Sequence, residues 1–137
     1  MTDMNEFKVG AALPERRHTP TNVSLFLYNA AIWNAHRIHY DELYATKVEK
    51  HPAIVVDGPL QGDWLTQVML NWIGDRGTIV EFEYSNRRAC YIGDTLISGG
   101  KIESIRPEEN EIEVSLFVKT EKGEVTAPGR AVIKLNR

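Results

Sequence analysis

The side chains best suited to proton chemistry lie close together in the chain, between Trp33 and Gly58. The polar members of this stretch are Asn34, His36, His39, Asp41 and Asp57. An imidazole exchanges protons near neutral pH and a carboxylate accepts them, so one of each at a common point can act as an acid and a base. We therefore expect the chemistry of this chain to lie here.

The same residues permit two other interpretations. His36, His39 and Asp41 are ligand types that a zinc ion accepts, and either Asp57 or His51 would have to complete the set. Asp41 and Asp57 also stand where helix-capping residues stand, directly before segments of helical pattern. We predict no metal site, and capping remains an alternative for both aspartates.

Composition and charge bound the class of protein. The 137 residues fit one domain spanning 1–137, and a net charge of −3 gives no reason to bind nucleic acid. Cys90 is the one cysteine, so no intrachain disulfide can form, and its apolar neighbours predict a buried, inert thiol. The acidic start of the chain is unlike a signal peptide and no apolar run has the length of a membrane span. We expect a cytoplasmic protein.

The first half of the chain carries helical patterns. Residues 1–22 predict an irregular lead-in, and a capping pattern at 19–22 predicts a helix that ends close to Asn34. Residues 41–49 predict a short helix. Apolar residues recur at helical spacing from Leu60 to Ile73, which predicts a long helix covered over much of its circumference.

From Thr78 onward the pattern alternates with the period of a β-strand. The predicted strands are Thr78–Tyr84 with a continuation at Arg88–Tyr91, Thr95–Ile105 with an interruption at Gly99–Gly100, Glu111–Thr120, and Val125–Leu135. An early strand near Phe7 or Ile54 is left open. One long apolar helix followed by such a meander predicts an α+β domain in which an antiparallel sheet wraps around the helix. The sheet edges favour a dimer that continues the sheet.

Two motifs resemble those of the MaoC-like hotdog-fold family of (R)-specific enoyl-CoA hydratases and 3-hydroxyacyl thioester dehydratases. They are Asn34-Ala-His-Arg-Ile-His-Tyr-Asp41 and Val55-Val-Asp-Gly-Pro-Leu60, and they are most similar to the branch that includes mesaconyl-C4-CoA hydratases and mitochondrial-type dehydratases. Residues 91–96 and 129–135 resemble a turn and the last strand of the family. The resemblance covers most of the chain.

The resemblance implies a hotdog fold and a cofactor-independent hydro-lyase acting on an acyl-CoA, with acyl or steroid side-chain catabolism as its context. Hydration of an enoyl thioester needs a base, an acid and a donor for the carbonyl oxygen. We assign proton transfer to His39 and Asp57, and water orientation or support of His39 to Asn34. The N–H of Gly58 at a helix start suits the carbonyl oxygen.

Arginines offer further contacts to such a substrate. Arg37 and Arg88 are candidate substrate-binding residues, and Arg87-Arg88 and Arg16-Arg17-His18 could contact the CoA phosphates, because guanidinium forks match phosphate oxygens. Solvation of the surface is the alternative role for these arginines. Trp33, Trp64 and Trp72 are expected in the core or at a dimer interface rather than around a ligand.

The motif departs from the family pattern at the position where relatives carry an aspartate. Ile32 stands there, and Asp57-Gly58 stands where many relatives have His-Gly. This motivates an alternative function as a non-catalytic subunit of a heteromeric hydratase, which completes or binds the acyl-thioester site. A hotdog thioesterase is a third alternative. The expected assembly is a homodimer or a heteromer with another hotdog subunit.

Overall fold

Helix α2, Gly58–Ile73, is the element around which the sheet folds. The structure, a computed structural model, describes residues 2–136. The apolar face of α2 lies in the main core, where Leu65 and Met69 are fully buried. Gly74 ends the helix with a positive φ of 58°, as the Gly-rich sequence after Ile73 predicts. The long covered helix is therefore confirmed.

Five strands form one antiparallel sheet in the order β1-β3-β4-β5-β2. They are β1 Ala12–His18, β2 Gly77–Tyr84, β3 Leu96–Arg106, β4 Glu111–Thr120 and β5 Val125–Leu135. Alternate residues of β4, from Ile112 to Val118, are buried in the same core as α2. The sheet thus wraps around the helix, which confirms the predicted α+β class.

Strand β1 corrects the prediction that residues 1–22 are irregular. It pairs with β3 at one edge of the sheet, and its register shifts between Leu13 and Arg16. Pro14 lies in this shift, where the missing N–H costs the sheet nothing. The bulge interrupts the alternation of buried and exposed residues, so the sequence of β1 lacks the signal by which strands are recognised.

The predicted continuation of β2 through Arg88–Tyr91 is also wrong. After Tyr84 the chain leaves the sheet, and the backbone N–H groups of Arg87 and Arg88 both donate to the carbonyl of Thr126. Tyr91 then forms an isolated antiparallel bridge with Val55. Residues near 91 therefore support the segment before α2 rather than the sheet.

Helix α1, Asn22–Ile32, begins at a capping box formed by Thr21 and Ser24 and ends close to Asn34, as predicted. Trp33 follows in the left-handed region with φ 58°. Two short helical turns, Arg37–His39 and Tyr44–Val48, connect α1 to the segment before α2. Within residues 2–136, no helix is both long enough and apolar enough to cross a membrane.

Candidate active site

Asp57 is a fully buried carboxylate at the start of α2. Its backbone occupies the N-cap position, but its side chain makes no hydrogen bond to the N–H groups of the first turn. Both carboxylate oxygens face side chains of the preceding segment instead. Capping, the alternative role suggested by the sequence, is therefore excluded for this side chain.

The backbone before Asp57 is held by hydrogen bonds on two sides. Val55 donates to the carbonyl of Ile38 at 3.0 Å, and Val56 donates to the carbonyl of Cys90 at 2.9 Å. Ile54 accepts from Ile92 at 3.1 Å. These apolar residues are buried between neighbouring segments, so the carboxylate that follows them has a fixed position.

His39 lies beside Asp57 and is also buried, with 8% of its surface exposed. Its Nδ1 lies 2.7 Å from the carbonyl oxygen of Val55. Because a carbonyl only accepts, Nδ1 must carry a proton, which leaves Nε2 directed toward Asp57. The distance from Nε2 to Oδ2 of Asp57 is 3.5 Å. The imidazole and the carboxylate therefore converge, as proton transfer between them requires.

Two asparagines hold the carboxylate from the side of α1. Asn34 donates to Oδ2 of Asp57 at 3.2 Å, and Asn29 donates to Oδ1 at 3.0 Å. The side-chain oxygen of Asn34 also accepts the backbone N–H of His36 at 3.0 Å. Asn34 thus supports the carboxylate rather than contacting His39. Asn29 was not identified from the sequence, although it lies four residues after the buried Leu25 on the same face of α1.

A cavity of about 430 Å³ lies next to these asparagines. It is lined by Phe26, Asn29, Ala30, Trp33, Asn34, Ala35 and Tyr40. Most of this lining is apolar, and its polar part includes the two amides that hold Asp57. The cavity therefore offers space for an apolar group within one side chain of the buried carboxylate.

The other metal-type residues of the motif point elsewhere. Asp41 accepts two hydrogen bonds from Arg37 and caps the turn at Tyr44 with its other oxygen. His36 is exposed, and its ring meets that of His39 edge to face at 5.6 Å between centroids. Among residues 2–136, no three His, Cys, Asp or Glu side chains gather as metal ligands. Capping is thus the role the structure shows for Asp41.

The predicted substrate-binding residues occupy different surroundings. Arg37 is bound to Asp41 and stacks over the ring of Tyr44 at 4.3 Å. Arg88 is exposed and pairs with Glu124 at 3.5 Å. Neither guanidinium lines the cavity beside Asp57. Gly58 begins α2, and a Cβ there would overlap the side chain of Asn86.

The three tryptophans are divided between core and surface. Trp64 is buried in the core, where it stacks on His18 with 4.4 Å between ring centroids. Trp72 packs against the core from its edge. Trp33 is 93% exposed and lines the cavity. Trp64 and Trp72 therefore meet the expectation of a core position, and an interface position for Trp33 stays a prediction.

The fold and the buried pair together define a class of protein. A solved (R)-hydratase from A. caviae involved in PHA biosynthesis superposes with a TM-score of 0.86 and 16% sequence identity, covering 95% of this chain and 98% of that one. This likeness shows that the chain has the hotdog fold. The class is a hotdog-fold protein with a histidine and an aspartate converging at the start of its central helix.

Sequence comparison identifies the family. Residues 5–92 match the family described as hydroxyacyl-thioester dehydratase type 2, to which the chain belongs. The chain is 50% identical over 42 residues to the mitochondrial hydroxyacyl-thioester dehydratase type 2 of Schizosaccharomyces pombe, and 56% identical over 36 residues to the mesaconyl-C(4)-CoA hydratase of Chloroflexus aurantiacus. These matches span 31% and 26% of this chain, but only 14% and 13% of those relatives. The resemblance read from the two motifs is confirmed.

Proposed function

We propose that this protein catalyses the reversible hydration of a 2-enoyl-CoA to a 3-hydroxyacyl-CoA. The observation that carries the proposal is the convergence of His39 Nε2 and Asp57 Oδ2 at 3.5 Å, within the residues that match the family. A buried carboxylate that caps no helix is costly to keep, so its position calls for a functional explanation. Proton transfer supplies one.

The protonation of His39 sets how the pair would act. With Nδ1–H donated to Val55, a proton on Nε2 is the one that the imidazole can give up. A water molecule bound at the edge of the pair can accept from Nε2–H of His39 and donate to Asp57, since two hydrogen bonds of about 2.8 Å span the 3.5 Å between Nε2 and Oδ2. The pair needs to hold only one proton at the start of the reaction, because the proton taken from water replaces the one given to the substrate.

In the hydration direction, the water oxygen bonds to C3 of the substrate while Asp57 takes one of its protons. The electron pair of the C2–C3 double bond moves toward C2 and the thioester carbonyl, and protonated His39 delivers its Nε2 proton to C2. The proton on Asp57 then passes to His39 across 3.5 Å, which restores the pair. Atoms and charge balance without a cofactor.

Charge that develops on the thioester oxygen needs a hydrogen-bond donor. Gly58 supports this role because it is the first residue of α2, where backbone N–H groups have no partner within the helix. Gly58 has no Cβ, and the side chain of Asn86 lies where a Cβ would be. The Gly58 N–H is our candidate donor for the enolate oxygen.

The apolar lining of the cavity favours an apolar acyl group as the part of the substrate that lies next to His39 and Asp57. Phe26, Trp33 and Tyr40 give it aromatic walls, which suit a hydrocarbon chain or ring. Acyl or steroid side-chain catabolism would supply such thioesters. Arg37 and Arg88 remain our candidate substrate-binding residues.

The alternative is a non-catalytic subunit of a heteromeric hydratase. Ile32, which is exposed and carries no proton, is the observation that favours it. Asp57 weakens this alternative, because it brings a carboxylate to the histidine from the start of α2 rather than from the position of Ile32. Turnover by the isolated chain would decide between the two.

The proposal is tested by assaying the purified chain with crotonyl-CoA and with longer and steroid-derived enoyl-CoAs, following loss of the conjugated enoyl absorbance. We expect the wild type to turn over at least one of them. His39→Ala and Asp57→Asn should each lower kcat by about 100-fold or more, as loss of an acid or base typically does. Their thermal melting shows whether each variant stays folded.

His51→Gln is the matched control, because it removes an imidazole of the same region that lies against Tyr91 rather than Asp57. It should retain wild-type kcat. Wild-type rates in His39→Ala would refute the assignment of His39. A folded wild type that hydrates none of the thioesters would favour the non-catalytic subunit, and release of free CoA thiol would favour a thioesterase.

A further inference from the structure

We propose that Asn29 is a positioning residue that sets the rotation of the Asp57 carboxylate. This inference rests on the proposed function, since it concerns the same proton-transferring pair. Asn29 belongs to neither of the motifs that resemble the family, and it contacts Asp57 from the middle of α1. It would act through Asp57, which it holds from the wall of the cavity that we propose for the acyl group.

The orientation of the Asn29 amide is fixed by its partners. Its Nδ2 donates to the carbonyl of Leu25 at 2.8 Å and to Oδ1 of Asp57 at 3.0 Å, which uses both of its N–H groups. The carbonyl of Leu25 and the ionised carboxylate of Asp57 can only accept hydrogen bonds. If the amide were turned over, its oxygen would face these two oxygens and no hydrogen bond could form. The side chain is therefore a committed donor to Asp57.

The two asparagines hold different oxygens of the carboxylate. Asn34 donates to Oδ2, the oxygen that faces His39, whereas Asn29 donates to Oδ1. With both oxygens held, the carboxylate plane cannot turn about its Cβ–Cγ bond. Without Asn29, Oδ1 would lack this donor, and Oδ2 would no longer be held at a fixed angle to the imidazole.

The remaining atom of the amide argues against a role in packing alone. The Oδ1 atom of Asn29 is buried and accepts no hydrogen bond from any of the residues 2–136. A buried acceptor without a partner lowers stability, and a leucine of similar size would avoid that loss. An amide whose donor is directed at Asp57 and whose oxygen lacks a partner fits a role in positioning the carboxylate better than a role in packing alone.

The neighbouring residue Tyr28 provides a matched control. Its hydroxyl donates to Oδ2 of Asp63 at 3.2 Å, so adjacent residues of α1 each donate one hydrogen bond to a carboxylate of the α2 region. Burial and then the Asp63 carboxylate raise the pKa of Tyr28 above its ordinary value, so the phenol keeps its proton. Tyr28→Phe removes the same kind of bond from a carboxylate outside the pair.

The experiment compares Asn29→Leu and Tyr28→Phe in steady-state hydration assays and thermal melting. We expect Asn29→Leu to lower kcat by about 10- to 100-fold, the range for losing a hydrogen bond to a charged group, with KM within about threefold of the wild type. Tyr28→Phe should keep kcat within about twofold. A role in stability alone would lower the melting temperature of Asn29→Leu and leave kcat of the folded enzyme unchanged, which would overturn the proposal.

If Asn29→Leu does not fold, Asn29→Ser is assayed in the same way, and failure of both to fold would show a structural role and refute the proposal. The ¹⁵N resonances of the His39 ring give a readout that does not need turnover. We expect the Nε2 resonance to move in Asn29→Leu and not in Tyr28→Phe. A wild type without turnover would refute the proposed function, whereas an unmoved Nε2 resonance would refute the role of Asn29.

Discussion

Asp57 shows how a single residue type can leave two roles open in the sequence. An aspartate before Gly-Pro and a helix is a common capping arrangement, and the sequence does not say which way the side chain turns. Its direction is set by the asparagines and His39, which approach from segments 18 to 28 residues earlier. The proximity of His39, Asn34 and Asp57 was predicted, and their catalytic roles stay predictions.

Asn29 illustrates what sequence reasoning overlooked at the site. The apolar residues of α1 drew attention to the wrong face, because Phe26 and Leu27 are exposed whereas Leu25 and Asn29 are buried. An asparagine four residues after a leucine shares its face of the helix, so a polar residue on the buried stripe was the available signal. Which face is buried depends on the neighbouring chain segments.

His18 gives a pH dependence of stability that is separate from the candidate site. Its ring stacks on Trp64, and its Nε2 lies 3.2 Å from the hydroxyl of the buried Ser98. Burial, and then the nearby Arg16, lower the pKa of His18 from 6.5 to about 4. The folded protein therefore holds this imidazole neutral at pH values where the unfolded chain protonates it.

The sign of the effect follows from this difference. Between pH 6.5 and about 4 the unfolded state binds a proton at this position and the folded state does not, so the free energy of unfolding falls as the pH is lowered through that range. We expect the melting temperature of the wild type to fall by a few degrees more than that of His18→Phe between pH 7 and pH 4.5. Phenylalanine keeps a ring against Trp64 but does not titrate. Parallel curves for the two proteins would contradict the prediction.

At the scale of elements, the sequence predicts best where one face of a regular element is buried. Strands β4 and β5 begin and end at the predicted residues, since β4 alternates buried and half-exposed side chains along its length. Strand β1 was missed because its bulge and Pro14 disturb that alternation. Residues 54–56 also lack an alternation of apolar and polar side chains, because all three are buried. Residue 55 forms a bridge with residue 91.

Strand β3 continues through Gly99 and Gly100, where the sequence suggested an interruption. A Cβ at Gly100 would overlap the carbonyl oxygen of Ser115 on β4 and crowd the side chain of Leu116. Gly100 thus allows β3 and β4 to approach closely. Glycine has a low propensity for strands, but a larger residue would not fit at this position.

We expect Gly100→Val to lower the free energy of unfolding by about 1–3 kcal/mol, because the backbone of β4 must shift to admit the side chain. Ser104→Val is the control in the same strand, at a half-exposed position, and should change stability little. Urea denaturation of the three proteins measures the difference. Equal stability of Gly100→Val and the wild type would show that β3 and β4 have room to separate.

At the scale of the whole molecule, the described chain leaves apolar surface uncovered. Val23, Phe26, Leu27 and Trp33 are all exposed along α1 and at its end. Among residues 2–136, the sheet also has two edges, since β1 pairs only with β3 and β2 only with β5. The sequence predicted this incompleteness from the need to cover a long apolar helix with one sheet. The sequences of the two edge strands indicate which edge a partner would use.

Strand β2 is the edge better suited to pairing with a second copy. It has eight residues without proline, whereas β1 contains Pro14, and each of the two strands has one register shift. Val80, at the register shift of β2, is 48% exposed on this edge. We therefore expect a homodimer in solution that joins two β2 strands, with a molar mass twice that of the chain by light scattering.

Val80→Lys should convert that dimer to a monomer at the same concentration, because two strands paired along this edge would bring like charges close together. Val125→Lys is the control, since it adds the same charge to an exposed valine of the interior strand β5. It should remain dimeric. A dimer that survives in Val80→Lys but dissociates in Trp33→Asp would place the interface on the exposed face of α1, beside the cavity, and would make the partner copy a wall of the candidate site.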